Sequence, residues 1–397
     1  MRNGEAMTNR NRLRFGLAFV VSLFGTAALA EDGVGDGKIV FGQVAALEGP
    51  AQALGQGMRQ GILAAFAEAN RNGGVSGRQL ELQSLDDGYE PEKTIEATKK
   101  LINEDKVFAL IGAVGTPTSQ AGQPIATAAK VPFIGPFTGA EFLRNPYNRY
   151  VVNIRASYFQ ETEAWIEHLT KDLGITKIAI LYQDDAFGLA GLNGVQRAMT
   201  KRNMSLVASG SFKRNTTAVK SALLDIMKGG PQAVVTVAPY KPVAAFIKLA
   251  HEVKMDAHFV AISFVGSDSL AKELGGEDAG VIVSQVVPFP WDTSLPVVTA
   301  YQRAVTTLDA KAQPGFVSLE GYLDGRLAVE ALKRVKGEPT REALLDAIYQ
   351  QGPIDLGGVV LSYGAIKNQG SDQVYLTVLQ ADGSFRPVTR LPMTAGQ

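Results

Sequence analysis

From residue 39 onward the sequence alternates short apolar, β-branched runs with longer segments of helical periodicity, and that alternation restricts the fold more than any other feature. Runs at 39–45, 79–85, 107–112 and 131–134 read as strands. Between them, 52–72, 92–103 and 117–130 read as helices. In the first, Met58, Ile62, Phe66 and Ala69 recur at three- and four-residue spacing on one face, and Asn72-Gly73-Gly74 closes it. The grammar restarts after a break. Strands are expected at 150–155, 177–182, 205–212, 233–238 and 258–262, with helices at 160–173, 187–203, 216–228 and 241–254. Strands alternating with helices of this length predict an α/β chain whose parallel sheets are covered on both faces. The remainder adds strands at 281–287, 358–362 and 373–379 and helices at 295–310, 317–336 and 340–350.

The segments "VFALIGAVGTPTSQAGQPIATAAKVPFIG" and "AVVTVAPYKPVAAFIKLAHEVKMDAHFVA" share one plan of strand, turn, helix and strand. Two similar lobes are therefore expected, and 397 residues exceed one typical core. The last third crosses between them again, so neither lobe need be contiguous.

The first 30 residues have a different character. Arg10, Arg12 and Arg14 precede an apolar run from Phe15 to Leu29 that ends in Ala28-Leu29-Ala30. This is the pattern of a secretory signal peptide cleaved after Ala30. The run is shorter than the roughly 20 residues a membrane span needs. Met7 serves equally as a start, because the charged region follows it. Residues 31–37 read as a flexible leader. The chain has no cysteine, which excludes disulfides, thiolate metal sites, cysteine nucleophiles and a lipid-modified N-terminal cysteine. An untethered exported protein of this kind is expected in a periplasm.

Basic and acidic residues balance at 39 each, which argues against nucleic acid or an anionic membrane surface as partner. Enzyme and metal signatures fail. His251-Glu252 opens like H-E-x-x-H, but residue 255 is Met, and His168 and His258 add no metal spacing. Gly55 and Gly57 are followed by Gly61 rather than a glycine at 60, so the dinucleotide spacing fails. The cluster Asp86-Asp87-Gly88-Tyr89-Glu90 precedes Pro91 and reads as a turn and helix start rather than a calcium site. No cofactor, no metal and no catalytic set is expected.

Ligands in open parallel sheets sit beyond the carboxyl ends of strands, near helix N-termini. After 107–112 comes a turn with Thr116, Pro117, Thr118 and Ser119, whose hydroxyls and free amides suit a carboxylate or carbonyl. Plain capping by Thr116 explains any one hydroxyl. Phe137-Thr138-Gly139 follows the next strand. In the second half the matching turns carry aromatics, Phe187 after Asp184-Asp185 and Tyr240 after Pro239, placed to cover an apolar ligand or to serve as lobe core.

The stretches "GPAQALGQGMRQGILAAFAEANRNGGVSGRQLELQSLDDGYEPEKTIEATKKLI", "FALIGAVGTPTSQA", "KIAILYQDDAFG", "AVVTVAPYKPVAAFIKLAHEV" and "FVAISFVGSDSLAKELG" resemble the leucine/isoleucine/valine-binding family of periplasmic proteins, in order, over nearly all of 38–390. The resemblance implies a type I periplasmic-binding fold: two Rossmann-like parallel-sheet lobes joined by three hinge crossovers. These would lie near 155, 283 and 361, with lobe 1 at 38–155 plus 284–361 and lobe 2 at 156–283 plus 362–392. It implies a monomer that captures a small organic ligand, an amino acid or a related carboxylate or amide, for an ABC permease in the inner membrane. A ligand sensor feeding a regulator is the alternative.

Position by position, Thr116 matches the family's serine that holds the ligand carboxylate, and Thr138 lies near its second carboxylate-binding threonine. Phe187, Tyr240, Phe316 and Leu54 match residues lining the pocket. One position departs. Where amino-acid binders of the family place a carboxylate against the ligand's ammonium, this chain has Ser263. A buried charge without its partner costs about 2–5 kcal/mol. Either Asp185 or Glu320 takes that role, or the ligand is not an α-amino acid; the second is favoured.

Overall fold

In the computed structural model, residues 31–276 and 279–391 are described, together with Met1. The signal-peptide and cleavage expectations for residues 1–30 otherwise lie outside the described residues, as does residue 392 at the expected end of lobe 2.

The first sheet holds β1 (Lys38–Ala45), β2 (Gln79–Asp86), β3 (Ala109–Ile111), β4 (Phe133–Ile134) and β5 (Val151–Val152), ordered β2-β1-β3-β4-β5 with every pair parallel. Its connections are α1 (Gln52–Arg71), α2 (Pro91–Asn103) and α3 (Thr116–Ala128). The stripe read from α1 is buried as expected: Met58, Ile62, Phe66 and Ala69 all face the core. Gly74 ends the turn after it at φ 74°, where a Cβ would lie 2.0 Å from the Arg78 carbonyl oxygen.

The second sheet repeats that order. After α4 (Tyr158–Leu173) come β6 (Ile178–Gln183), α5 (Ala186–Thr200), β7 (Ala208–Phe212), α6 (Lys220–Met227), β8 (Ala233–Val237), α7 (Tyr240–Glu252), β9 (His258–Ala261), α8 (Ser267–Leu274) and β10 (Ile282–Gln285). The parallel strands run β7-β6-β8-β9-β10, the same permutation as the first sheet. α4 starts on a capping box between Ser157 and Gln160 and stops at Gly174 in the left-handed region.

The chain then returns to the first sheet's helices. α9 (Pro296–Leu308) and α10 (Phe316–Arg334) pack on α1, followed by α11 (Arg341–Tyr349) and a two-stranded ribbon of β11 (Ile354–Asp355) and β12 (Val360–Leu361). It ends in β13 (Tyr375–Leu379) and β14 (Phe385–Val388), which add an antiparallel edge to the second sheet.

The sequence reading missed α8, β11 and β14. Each is short, and β14 carries Arg386 and Pro387, which dilute any strand signal. The strand expected at 150–155 shrinks to Val151–Val152, because the chain there leaves the sheet.

Passages between the sheets run through 153–157, 286–295 and 362–374. The first and third are tied together. Asn153 donates its backbone N–H to the Asn368 carbonyl at 2.8 Å and accepts from Gly370 N–H at 2.8 Å. Its side-chain amide donates to the Leu143 and Asn368 carbonyls.

The α1–α10 contact is unusually close because glycines line it. A Cβ on Gly61 would lie 2.0 Å from the Ser318 carbonyl oxygen, and one on Gly321 would lie 2.2 Å from that of Met58. Gly61→Ala should therefore destabilise the fold by about 1–3 kcal/mol, overpacking outweighing the better helix propensity of alanine. Urea unfolding measures it; an unchanged or higher midpoint would contradict this account of the contact.

Candidate functional site

The carboxyl ends of β3 and β4 deliver the turns that carry Thr116 and Thr138. Gly115 has φ 105°, and a Cβ there would lie 2.3 Å from Cε2 of Tyr89, so glycine lets the Tyr89 ring lie against the turn. Tyr89 itself has φ 63°, and its N–H donates to the Asp87 carboxylate at 2.8 Å.

Thr116 opens α3, whose first amides have no intrahelical acceptor and whose dipole favours a negative charge. Its hydroxyl lies 2.7 Å from that of Thr138, both almost fully buried. The Thr118 hydroxyl is engaged elsewhere, donating to the Val114 carbonyl at 2.5 Å.

Tyr158, the first residue of α4, packs on Gly139, where a Cβ would come within 2.6 Å of its ring. Its buried hydroxyl makes no well-formed hydrogen bond, and burial pushes its pKa up, with Arg155 and the nearby Thr138 and Thr116 hydroxyls opposing only in part. The Thr116–Thr138 hydroxyl pair thus stands at the N-terminus of α3.

Rings close around this point from both sheets. Phe264, on the 3-10 turn Ser263–Val265 after β9, has its ring centroid 5.2 Å from Phe137, 4.6 Å from Phe187 and 6.0 Å from Tyr89. Phe187 is 5.6 Å from Tyr158. The Arg155 guanidinium lies 5.2 Å from the Phe137 centroid and 5.8 Å from that of Tyr158. Beside them a cavity of about 220 Å³ is lined by Thr116, Tyr158, Phe142 and Leu189, among others.

Beneath the rings is a buried charge cluster. Arg155 is fully buried and contacts Glu161 at 3.1 Å and Glu320 at 3.3 Å. Glu161 also accepts from Ser263 N–H at 3.0 Å, the Ser263 hydroxyl at 2.9 Å and the Ser284 hydroxyl at 2.6 Å. The Ser263 hydroxyl is itself in direct contact with the Arg155 guanidinium. Burial pushes the Glu320 carboxyl up to about 7, with Arg155 opposing and Glu161 reinforcing the shift. Asp324, one turn later on α10, is held well above the usual carboxylate range by burial, with neither oxygen hydrogen-bonded.

Other expected site residues fall in distinct places. Asp185 caps α5 by accepting from Phe187 N–H at 2.9 Å, and its other oxygen takes Arg214 at 3.1 Å and the Gln183 amide at 2.7 Å. Both of its oxygens are thus occupied by donors of this chain. Asp184 is exposed. Leu54 and Tyr240 meet over Gly266, whose Cβ position lies 2.5 Å from Leu54 Cδ2 and 3.7 Å from Tyr240 Cδ1. Phe316 belongs to another aromatic group, with Phe289, Trp291 and Phe385, and its N–H donates to Asp268 at 3.2 Å. The outer edge is bridged by Arg214 to Glu90 at 2.8 Å, and by the Asn215 amide to Glu90 at 2.8 Å and the Gly88 carbonyl at 3.1 Å.

Sequence reasoning missed Tyr89, Arg155, Tyr158, Glu161, Gln183 and Phe264. Tyr89 was read as part of a turn and Arg155 as the end of a strand. The available signal was "RASYFQETE", an arginine and a glutamate six residues apart around a helix start, and the phenylalanine directly after Ser263. Among the described residues, no group of three His, Asp or Glu side chains is placed to hold a metal ion. No helix among them is long and apolar enough to cross a membrane.

Three comparisons bear on this arrangement. A family model described as periplasmic binding protein matches residues 38–384. A solved structure from Rhodopirellula baltica SH 1, described as a possible leucine/isoleucine/valine-binding protein, superposes with a TM-score of 0.86 at 38% identity and covers 91% of this chain and 98% of that one. Leu/Ile/Val-binding protein homolog 7 of Brucella suis is 23% identical over 360 residues, 87% of this chain and 89% of that protein. A fatty acid ABC transporter substrate-binding protein from Thermomonospora curvata shares the fold, with a TM-score of 0.79 at 21% identity, covering 92% of this chain and 95% of that one.

The buried Glu320 has a measurable signature. Its carboxyl holds a proton in the folded chain up to about pH 7, but loses it near pH 4.5 when unfolded. Its contribution to stability is thus full below pH 4.5 and is lost as pH rises to 7, by about 3 kcal/mol. Glu320→Gln should remove about that much of the decline between pH 4.5 and 7.5 in urea unfolding. A variant with the same pH slope as the parent would refute the assignment.

Proposed function

The chain belongs to the periplasmic binding protein family, of the leucine/isoleucine/valine-binding kind, and from that premise we propose that it captures a small organic carboxylate between its two sheets and passes it to the permease of an ABC importer in the inner membrane. It is a substrate-binding protein and not an enzyme. The observation that carries the ligand class is the Thr116–Thr138 hydroxyl pair at the N-terminus of α3, with the unpaired Tyr158 hydroxyl on a residue lining the same cavity as Thr116. Hydroxyl donors and free helix amides complement an anion. Rings from both sheets complement an apolar body next to it.

Capture and release require the sheets to part. The two lobes would move about the three passages at 153–157, 286–295 and 362–374, with the Asn153–Asn368 pairing as the axis. The Arg214–Glu90 and Phe316–Asp268 contacts would break on opening. Family membership implies export to the periplasm; cleavage after Ala30 and a monomeric mature protein complete the proposal.

A thermal-shift screen of mature protein, refolded to strip bound ligand, tests capture against carboxylates, amides and amino acids. A ligand at 100 times its dissociation constant adds about 2.7 kcal/mol. No shift with any small molecule would sink the proposal. For the carboxylate that shifts most, Thr116→Val should weaken binding about 10- to 100-fold by calorimetry, the loss expected for a hydrogen bond to a charged group. Circular dichroism should stay unchanged.

A further inference from the structure

Beside the ring cluster, against the Tyr89 hydroxyl, stands Gln183, at the carboxyl end of β6 and fully buried. Its amide nitrogen donates to Asp185 Oδ2 at 2.7 Å and to the Tyr89 hydroxyl at 3.2 Å. A carboxylate only accepts, so Asp185 fixes which end of the amide is nitrogen. The carbonyl oxygen is thereby fixed too, and it has no donor. A buried acceptor in this condition is complemented by a ligand's donor. As a neutral oxygen it accepts from an uncharged hydroxyl or amide N–H, and it brings no counter-charge to offset the desolvation of an ammonium.

The acids point the same way. Glu161 is saturated by Ser263, Ser284 and Arg155, and both oxygens of Asp185 are taken, by Arg214, Gln183 and the Phe187 N–H. Glu320 has Arg155 against it, with the Arg144 charge also acting on it. Arg155 thus stands against both acids, so neither offers an unpaired carboxylate to an ammonium.

Resting on the capture reading above, we infer that the ligand is a carboxylic acid without an ammonium group that carries an uncharged hydrogen-bond donor, a hydroxyl or an amide N–H, at the end away from its carboxylate, and that the Gln183 carbonyl oxygen reads that donor. Gln183 is then a specificity-determining residue. A site built around such an acceptor discriminates strongly against an analogue lacking the donor, because the acceptor is left buried and unpaired.

The test is calorimetry on mature, refolded protein with two matched series. One is benzoate, 4-hydroxybenzoate and 4-(aminomethyl)benzoate. The other is hexanoate, 6-hydroxyhexanoate and 6-aminohexanoate, with L-leucine and L-phenylalanine alongside. In at least one series the hydroxylated acid should bind tenfold or more tighter than both its parent and its amine. Gln183→Leu should reduce that preference over the parent acid to threefold or less, the ratio being read whatever the parent's own affinity becomes. If the variant does not fold, the wild-type series decides alone. Parent acids that bind as well as hydroxylated ones, or amino acids that bind best, overturn the inference and leave capture intact. No heat with any probe and no hit in the wider thermal-shift screen overturns both.

Discussion

Everything in the space between the sheets is arranged around one buried guanidinium. Arg155 lies on the first passage, two residues after Asn153, and reaches Glu161 on α4 and Glu320 on α10. A charge this deep is costly unless its partners are complete, and removing one partner of such a pair typically costs about 3–5 kcal/mol. The pairing here draws on both halves of the chain. Glu161 is held by residues after β9 and on β10, and Glu320 by the helix packed on α1. The cluster therefore fixes where α4 and α10 stand relative to the passage. It also fixes Tyr158 and Phe137, whose rings lie beside the same guanidinium.

Close approach does the rest, and it depends on absent side chains. Gly139 admits the Tyr158 ring, Gly115 admits Tyr89, and Gly266 admits Leu54. At each position a Cβ would come closer than packed atoms allow, so the aromatic lining exists because the strand-end turns carry glycine. Those same turns free the backbone amides at the start of α3. The donor set and the apolar wall thus share one cause, the short glycine-bearing connections at the carboxyl ends of parallel strands.

The repeated strand–helix plan was legible in the sequence because its periodicity is local. The α1 stripe, the parallel pairing and Thr116 at a helix start follow from residues within one turn of each other. The charge cluster was not legible, because Arg155 with Glu161, Ser263, Ser284 and Glu320 come from four separated segments. Ser263 and Glu320 stand out alone, but nothing in either segment points to Arg155. Asp185 illustrates the other limit. Sequence placed it at a strand end near the ligand space, but its occupation by Arg214 depends on a turn 29 residues later. The antiparallel edge escaped because β14 is brief and polar on one face, so only its partner β13 gives it away.

Two halves of one topology have taken on different chemistry at equivalent strand ends. The first half presents hydroxyls and helix amides, a surface that favours negative charge. The second presents rings and the neutral amide of Gln183. Its potential counter-charge, Glu161, is turned away behind Ser263 and saturated. Placing that carboxylate one layer behind the serine, bound to an arginine, keeps a negative group near the ligand space while denying it to the ligand. On the proposed reading, the asymmetry would orient a bound acid in one direction, carboxylate toward the first sheet and neutral end toward the second. Closure of the second half over the first would then add contacts that depend on what the far end of the ligand carries.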